Sequence, residues 1–322
     1  MSAVEAVIDL GGDAVPRLME RIEGRMSSLA RGHGDVLGRH AGETIDAGGK
    51  RLRPLLVCLA AGVPPPETDG LVRAAVAVEL VHGATLVHDD VLDASELRRG
   101  RPTVLASGGR ELAKATGDLL FSRAFAELAA GGTGSAAAIR ILSASCAELA
   151  LGELAQRADA WDARVSIERY LERCRLKTAV LFRAACALGA LEGAGSERAL
   201  GVFGERIGVA FQILDDILDV TGPPERTGKP RGADLLDGTV TLPLILARSR
   251  DQSLAALEPR SVITPEEAAS VCDRIAATGA LSTARERALA LVAAGKEILP
   301  GLPERQQAAL ALVADGVVER YA

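Results

Sequence analysis

Six aspartates in two matching clusters carry the chemistry that this chain advertises. Asp89, Asp90 and Asp93 follow the apolar run Val81-His82-Gly83-Ala84-Thr85-Leu86-Val87-His88 in the spacing DDxxD, and Asp215, Asp216 and Asp219 repeat that spacing after a second apolar run. On a helix, Asp89 and Asp93 share a face, while Asp90 lies about 100° to the side. Carboxylates this close repel one another unless a cation lies between them. Hard oxygen ligands that leave coordination positions open suit Mg2+, which takes one or two carboxylates together with substrate phosphates. A single DDxxD reads equally well as a solvated helix end. Two copies, each closing an apolar run and lying near basic residues, favour metal binding.

The basic residues form a second constellation. Lys50, Arg51 and Arg53 cluster before Pro54, Arg98 and Arg99 follow Asp93, Lys177 lies mid-helix, and Lys229 falls in a Gly-rich loop. Each alone is an ordinary surface charge. Together they suit a polyanion bridged by metal, with arginine giving bidentate phosphate contacts, and so point to a diphosphate. Other templates fail: Gly222 to Lys229 has one residue too many for a P-loop, with Pro230 in place of its Ser/Thr, and no GxSxG, HExxH or GxGxxG occurs. His82 and His88, on an apolar helix, read as hydrogen-bonded structural residues when taken alone.

The elements that must hold these residues are helical. Of 322 residues, 48% are hydrophobic but only 2% aromatic, so Ala, Leu, Val and Gly carry the apolar content and favour helix over sheet. The spacing predicts amphipathic helices over 14–47, then helices over 55–61, 71–92, 110–129, 136–159, 166–190 and 197–220. A long Gly/Pro-rich loop spans 221–238. Thr264-Pro265-Glu266-Glu267 matches a capping box with proline at N1, and Pro303-Glu304 opens another helix. No alternating strand pattern, linker or composition shift appears, which predicts one all-α domain over residues 1–322.

A net charge of −6 argues against nucleic acid as a partner. The five cysteines form no CxxC pair and read as reduced core thiols. The N-terminus lacks a basic n-region and long apolar run, and no run is read as reaching the ~20 apolar residues of a membrane span. A cytoplasmic protein without an integral membrane segment is the expectation.

These residues resemble the trans-isoprenyl diphosphate synthases, or polyprenyl synthetases. The likeness runs from Gly49-Lys50-Arg51-Leu52-Arg53-Pro54 through His88-Asp89-Asp90-Val91-Leu92-Asp93, Leu97-Arg98-Arg99-Gly100-Arg101-Pro102-Thr103, Gly117-Asp118 and Lys177-Thr178. It continues through Phe211-Gln212-Ile213-Leu214-Asp215-Asp216-Ile217-Leu218-Asp219 and Gly228-Lys229-Pro230 to Pro243. The resemblance implies an isoprenoid-synthase helical bundle around a central cavity, a homodimer, and condensation of isopentenyl diphosphate with an allylic diphosphate. It implies Mg2+ held by Asp89, Asp93 and Asp215, with Asp90, Asp216 and Asp219 in support. Lys50, Arg53, His82 and Arg99 would bind isopentenyl diphosphate. Arg98, Lys177, Thr178, Gln212 and Lys229 would face the allylic diphosphate.

One position departs from the pattern: many members carry lysine in a GKxTLP run, where this chain has Gly238-Thr239-Val240-Thr241-Leu242-Pro243. One basic contact near the allylic diphosphate is then missing or supplied elsewhere.

Product length is read from Val81, Ala84 and Thr85. Val81, Thr85 and Asp89 lie on one row, which puts Val81 about 12 Å below the metal site. Short-chain members resemble this chain but place bulky aromatics four or five residues before the first Asp, where this chain has Thr85 and Ala84. The open shaft predicts a product longer than geranylgeranyl, in the hexaprenyl-to-decaprenyl range, unless Phe121 and Phe125 set a deeper floor. Such a product is amphiphilic, consistent with transient membrane contact. The competing readings are a farnesyl or geranylgeranyl synthase, a class I terpene cyclase, and a non-catalytic subunit of a heterodimeric synthase. Cyclases pair one DDxxD with an Asn/Asp-Ser/Thr-Glu metal motif and lack a basic run like Gly49–Pro54, and the subunit reading expects degraded acidic motifs where both are intact.

Overall fold

The computed structural model describes residues 3–49, 51–98, 100–132, 135–193, 195–222 and 230–319. Lys50, Arg99, Gly228 and Lys229 lie outside them. The architecture is all-α. Among the described residues, ten helices precede the Gly/Pro-rich loop: α1 (Ala3–Gly11), α2 (Ala14–Arg31), α3 (Asp35–Asp46), α4 (Leu52–Ala61), α5 (Asp69–Leu92), α6 (Val104–Ala129), α7 (Ser135–Asp159), α8 (Ile167–Cys174), α9 (Val180–Glu192) and α10 (Glu197–Thr221). A π-turn, Arg175–Ala179, joins α8 to α9. Where the sequence predicts a basic loop, Leu97–Arg98 and Arg101–Pro102 pair as a minimal antiparallel hairpin. The helix expected from 110 begins at Val104 under a Thr103 cap and kinks at Gly109, whose φ of 78° places it in the left-handed region.

By its contacts the chain forms two compact units, each built from separated stretches of sequence. The first comprises Met1–Cys146, Leu181–Gly204 and Ile298–Val313. Its axis is α5, which packs on α2, α3, α4 and α6. The Thr68 hydroxyl accepts the Leu71 amide at 3.1 Å and starts the helix, while Val76, Val78, Leu80 and Val81 are fully buried. Burying each such side chain is worth about 1.5–3 kcal/mol. Glycines let α5 and α6 approach: a Cβ on Gly117 would fall 2.2 Å from Nε2 of His88. At the opposite end of α5, Glu127 of α6 takes Arg25 and, at 3.3 Å, Arg73.

The second unit comprises Ala147–Val180, Glu205–Glu297 and Ala314–Ala322. Its helices include α8, Leu242–Arg248, Pro265–Ala277 and Ala280–Lys296. The predicted capping box is present: the Glu267 amide donates to Thr264 at 3.2 Å, and the Thr264 amide donates back to the Glu267 carboxylate at 3.0 Å. The helix expected after Pro303 spans Glu304–Glu319.

Two helices, Asp69–Leu92 and Ser135–Asp159, are long and apolar enough to cross a membrane, contrary to the sequence reading. The difference arises because isolated polar residues interrupt their apolar runs without lowering the window average. In α5 that window is 72% buried inside the protein, as expected of a core helix.

Candidate active site

Both acidic clusters stand at the C-terminal end of a helix. Asp93 closes α5 with its amide donating to the Asp89 carbonyl at 2.8 Å, and Ala94 then turns the chain with a φ of 51°. Asp215, Asp216 and Asp219 occupy the last two turns of α10. A helix C-terminus is its negative pole, where a carboxylate is unfavourable by about 0.3–1 kcal/mol.

Within each cluster the middle aspartate is buried, and in the second cluster Asp219 also turns inward, its carboxylate accepting the Asp234 amide at 3.3 Å. Asp90 is 4% exposed and Asp216 is 3% exposed. Asp90 accepts Nε of Arg98 at 2.8 Å. Asp216 accepts the Tyr170 hydroxyl at 2.6 Å and Nε2 of Gln212 at 2.7 Å, while Thr178 in turn donates to Oε1 of Gln212 at 2.7 Å. Burial pushes the Asp216 carboxyl up to about 7 against the opposing bonds from Tyr170 and Gln212. Asp93 and Asp215 are exposed, and Asp89 and Asp219 half-buried. Among the described residues, no three His, Cys, Asp or Glu side chains group closely enough to hold a metal ion by themselves. An oxygen-only set supplying one or two carboxylates still fits Mg2+, which completes its shell with substrate phosphates and water.

Two cavities adjoin the clusters, one in each unit. In the first unit a cavity of about 430 Å³ runs along the α5 flank formed by Glu79, His82, Leu86 and Asp90, with Arg98 and Arg101 on its wall. The Gly49–Pro54 basic run is anchored beside it: Arg51, held at a φ of 45°, bonds Glu23, Glu79 at 3.1 Å and the Ile45 carbonyl at 2.6 Å. Arg53 instead lays its guanidinium 5.0 Å above the Phe182 ring. Val81, Ala84 and Thr85 do not line this cavity. Val81 and Ala84 are fully buried, and the half-buried Thr85 donates to the His82 carbonyl at 2.8 Å. Phe121 packs 5.7 Å from the His88 ring, a contact with the DDxxD helix itself.

In the second unit a cavity of about 130 Å³ brings together Lys177, Thr178 and Gln212, three residues that the resemblance places on the allylic side, with Asp216, which it places in support of the metal. Lys177 projects from the π-turn, a geometry that often accompanies functional sites. Its Nζ lies 2.6 Å from Glu153. Burial pushes the Glu153 carboxyl up, but Lys177 and Arg157 outweigh it and hold the group below its ordinary value. Gly152 makes this approach possible: a Cβ there would fall 2.9 Å from the backbone of Leu176 and Lys177.

Sequence reasoning missed Tyr170, Arg173, Glu153 and Gly152. Tyr170 is one of only two tyrosines and precedes Lys177 by seven residues, the only signal that it shares Lys177's face. Nothing in the sequence marks Gly152 among the many glycines, because its role appears only when a second backbone lies against it.

The sequence model of the polyprenyl synthetases matches residues 35–275, three quarters of the chain. This chain belongs to the polyprenyl synthetase family. It is 40% identical over 273 residues to heptaprenyl diphosphate synthase component 2 of Geobacillus stearothermophilus, covering 83% of this chain and 84% of that protein. It is 36% identical over 283 residues to geranylgeranyl diphosphate synthase of Methanosarcina mazei, covering 86% and 87% of the two chains. Among solved structures, a polyprenyl synthase of Caulobacter crescentus complexed with calcium and isoprenyl diphosphate superposes with a TM-score of 0.88 at 34% identity, covering 99% of this chain and 98% of that one.

Proposed function

We propose that this polyprenyl synthetase joins isopentenyl diphosphate to an allylic diphosphate with Mg2+ and makes a product longer than geranylgeranyl diphosphate. The observation that carries the reading is the paired design of the clusters. Each stands near the end of a helix, ties its middle aspartate to protein donors, and leaves an outer carboxylate exposed, Asp93 in one and Asp215 in the other. Asp89, Asp93 and Asp215 would hold the metal, which when bound neutralises charge on the departing diphosphate. The solved relative that contains calcium and isoprenyl diphosphate supports a divalent cation beside a diphosphate.

The chain's own residues do the rest. The allylic C–O bond breaks with its electron pair leaving on diphosphate, and Lys177, Thr178, Gln212 and Arg98 neutralise or hydrogen-bond that leaving group. His82, Lys50, Arg53 and Arg99 hold the diphosphate of isopentenyl diphosphate, whose double bond attacks the allylic cation; the cavity along the His82 flank of α5 suits this substrate. A proton is then lost to the released diphosphate. The apolar walls exclude water that would otherwise capture the cation.

The small Ala84 and Thr85 support a long product, as does the heptaprenyl activity named for one relative; the geranylgeranyl activity named for another supports the shorter alternative. We place the enzyme in the cytoplasm, working as one catalytic domain and a homodimer, with transient membrane contact during product release. A second reading is assembly with a different subunit, favoured by the word "component" in a relative's name and by Leu151 and Leu154 of α7, which are 57% and 67% exposed. Purified protein incubated with isopentenyl and farnesyl diphosphates and Mg2+ should yield prenyl diphosphates longer than geranylgeranyl, sized by chromatography. A main product of geranylgeranyl length overturns the long-chain reading. Inactivity relieved only by a second polypeptide favours the heteromeric one.

A further inference from the structure

We propose that Arg173 is a substrate-binding residue: it supplies the cation on the wall beside Thr239 that faces the allylic diphosphate. This rests on the function proposed above. Arg173 lines the small cavity together with Lys177, Thr178, Gln212 and Thr239, although it is only 4% exposed. Its Nη2 donates to the carbonyl of Val240, the residue after Thr239. Its Nη1 lies 3.4 Å from Asp159, and its guanidinium is 5.6 Å from the Tyr170 ring centroid. Asp159 is not Arg173's alone, because Arg169 also holds it with contacts of 3.0 and 3.1 Å.

The charge on the wall favours such a group. Asp216 and Asp234 line the same cavity and repel a diphosphate, and Lys177 shares its charge with Glu153, so a second cation strengthens the site. Among the described residues, Asp159 and Val240 take two of the five N–H donors of Arg173, so planar donors remain for phosphate oxygens. Two cations side by side would repel, so an arginine in this position makes a neutral residue at 239 the compatible neighbour. The backbone ties the two positions together: the Thr239 amide donates to the Asp234 carbonyl at 2.8 Å, and the next carbonyl receives Arg173. Arg173 and Thr239 thus form one unit, with the positive charge moved from the loop to α8.

The test is titration of full-length protein with farnesyl diphosphate and Mg2+, without isopentenyl diphosphate so that no condensation occurs, alongside thermal unfolding. Arg173→Leu should weaken binding by about tenfold or more, and Thr239→Lys added to it should recover most of that loss. Arg173→Lys, which keeps the charge but not the planar fork, should lose less affinity than Arg173→Leu even where its lost bond to Val240 lowers the melting temperature. Unchanged affinity in Arg173→Leu overturns the inference. So does a loss that Thr239→Lys leaves uncorrected and that tracks melting temperature across all the variants, which would make Arg173 only a strut for the loop. A wild type that binds no farnesyl diphosphate overturns the proposed function itself, and this inference with it.

Discussion

The Tyr170 phenol donates to Oδ2 of Asp216 at 2.6 Å, in a region where both residues are almost wholly buried. That bond makes Asp216 a junction: its other oxygen takes Gln212, and Gln212 takes Thr178. Three stretches of sequence, on α8, the π-turn and α10, are locked in register through one carboxylate. In the first cluster Asp90 and Arg98 form the corresponding tie between α5 and the hairpin. In each DDxxD cluster the middle residue faces inward as a fastener, while an outer one, Asp93 or Asp215, is exposed.

Removing the phenol oxygen alone tests the junction. Tyr170→Phe keeps the ring and leaves a buried carboxylate short of a donor, which costs about 1–3 kcal/mol. Urea unfolding should show that loss, and farnesyl diphosphate binding should weaken with it because Gln212 and Thr178 lose their common anchor. A variant as stable as wild type would show that the bond carries no weight.

The position of both clusters at helix C-termini predicts a stability response to metal. Carboxylates there raise the energy of the native state until a cation arrives, so Mg2+ with inorganic diphosphate should raise the melting temperature in proportion to the logarithm of its concentration. Asp89→Ala should abolish turnover at every Mg2+ concentration and reduce that shift. Asp90→Asn should act mainly through stability, because it loosens Arg98. Near-normal turnover by Asp89→Ala removes Asp89 from the metal set.

Much of this was legible in the sequence, and the limits have physical causes. The α5 and α10 boundaries followed from apolar runs that end in unmistakable acid clusters, and the Thr264 cap followed from local chemistry alone. The start of α6 was misplaced because Gly108-Gly109 reads as a breaker, whereas the helix continues across a kink at Gly109. The π-turn was invisible because its residues, Arg175 to Ala179, are good helix formers; only packing against Gly152 reveals it. Arg173 and Glu153 escaped notice because each looks like a surface charge until its partner, hundreds of atoms away along the chain, is folded against it.

Gly152 offers a probe of that packing. Gly152→Ala places a methyl 2.9 Å from the Lys177 backbone, closer than side-chain carbons approach, so α7 or the π-turn must shift. The Lys177–Glu153 pair should separate, lowering kcat and raising the KM for the allylic diphosphate while leaving the KM for isopentenyl diphosphate near wild type. Equal changes for both substrates would mean general disruption in place of a local one.

The product-length assignment is the most exposed to test, because the larger cavity runs along the opposite flank of α5 from Ala84. If growing product descends past Ala84 and Thr85, Ala84→Phe places a ring in its path and the main product shortens toward geranylgeranyl or farnesyl. Ala84 is fully buried, so the ring also has to be accommodated, and about 1–3 kcal/mol of stability goes with it. Chromatographic sizing of the products at matched turnover separates the two effects, since a merely destabilised enzyme makes less of the same product. Leu86→Phe, on the cavity flank, serves as the contrast: it should raise the KM for isopentenyl diphosphate without shortening the product. Shortening by Leu86→Phe with none by Ala84→Phe would move the elongation path to the His82 side of the helix.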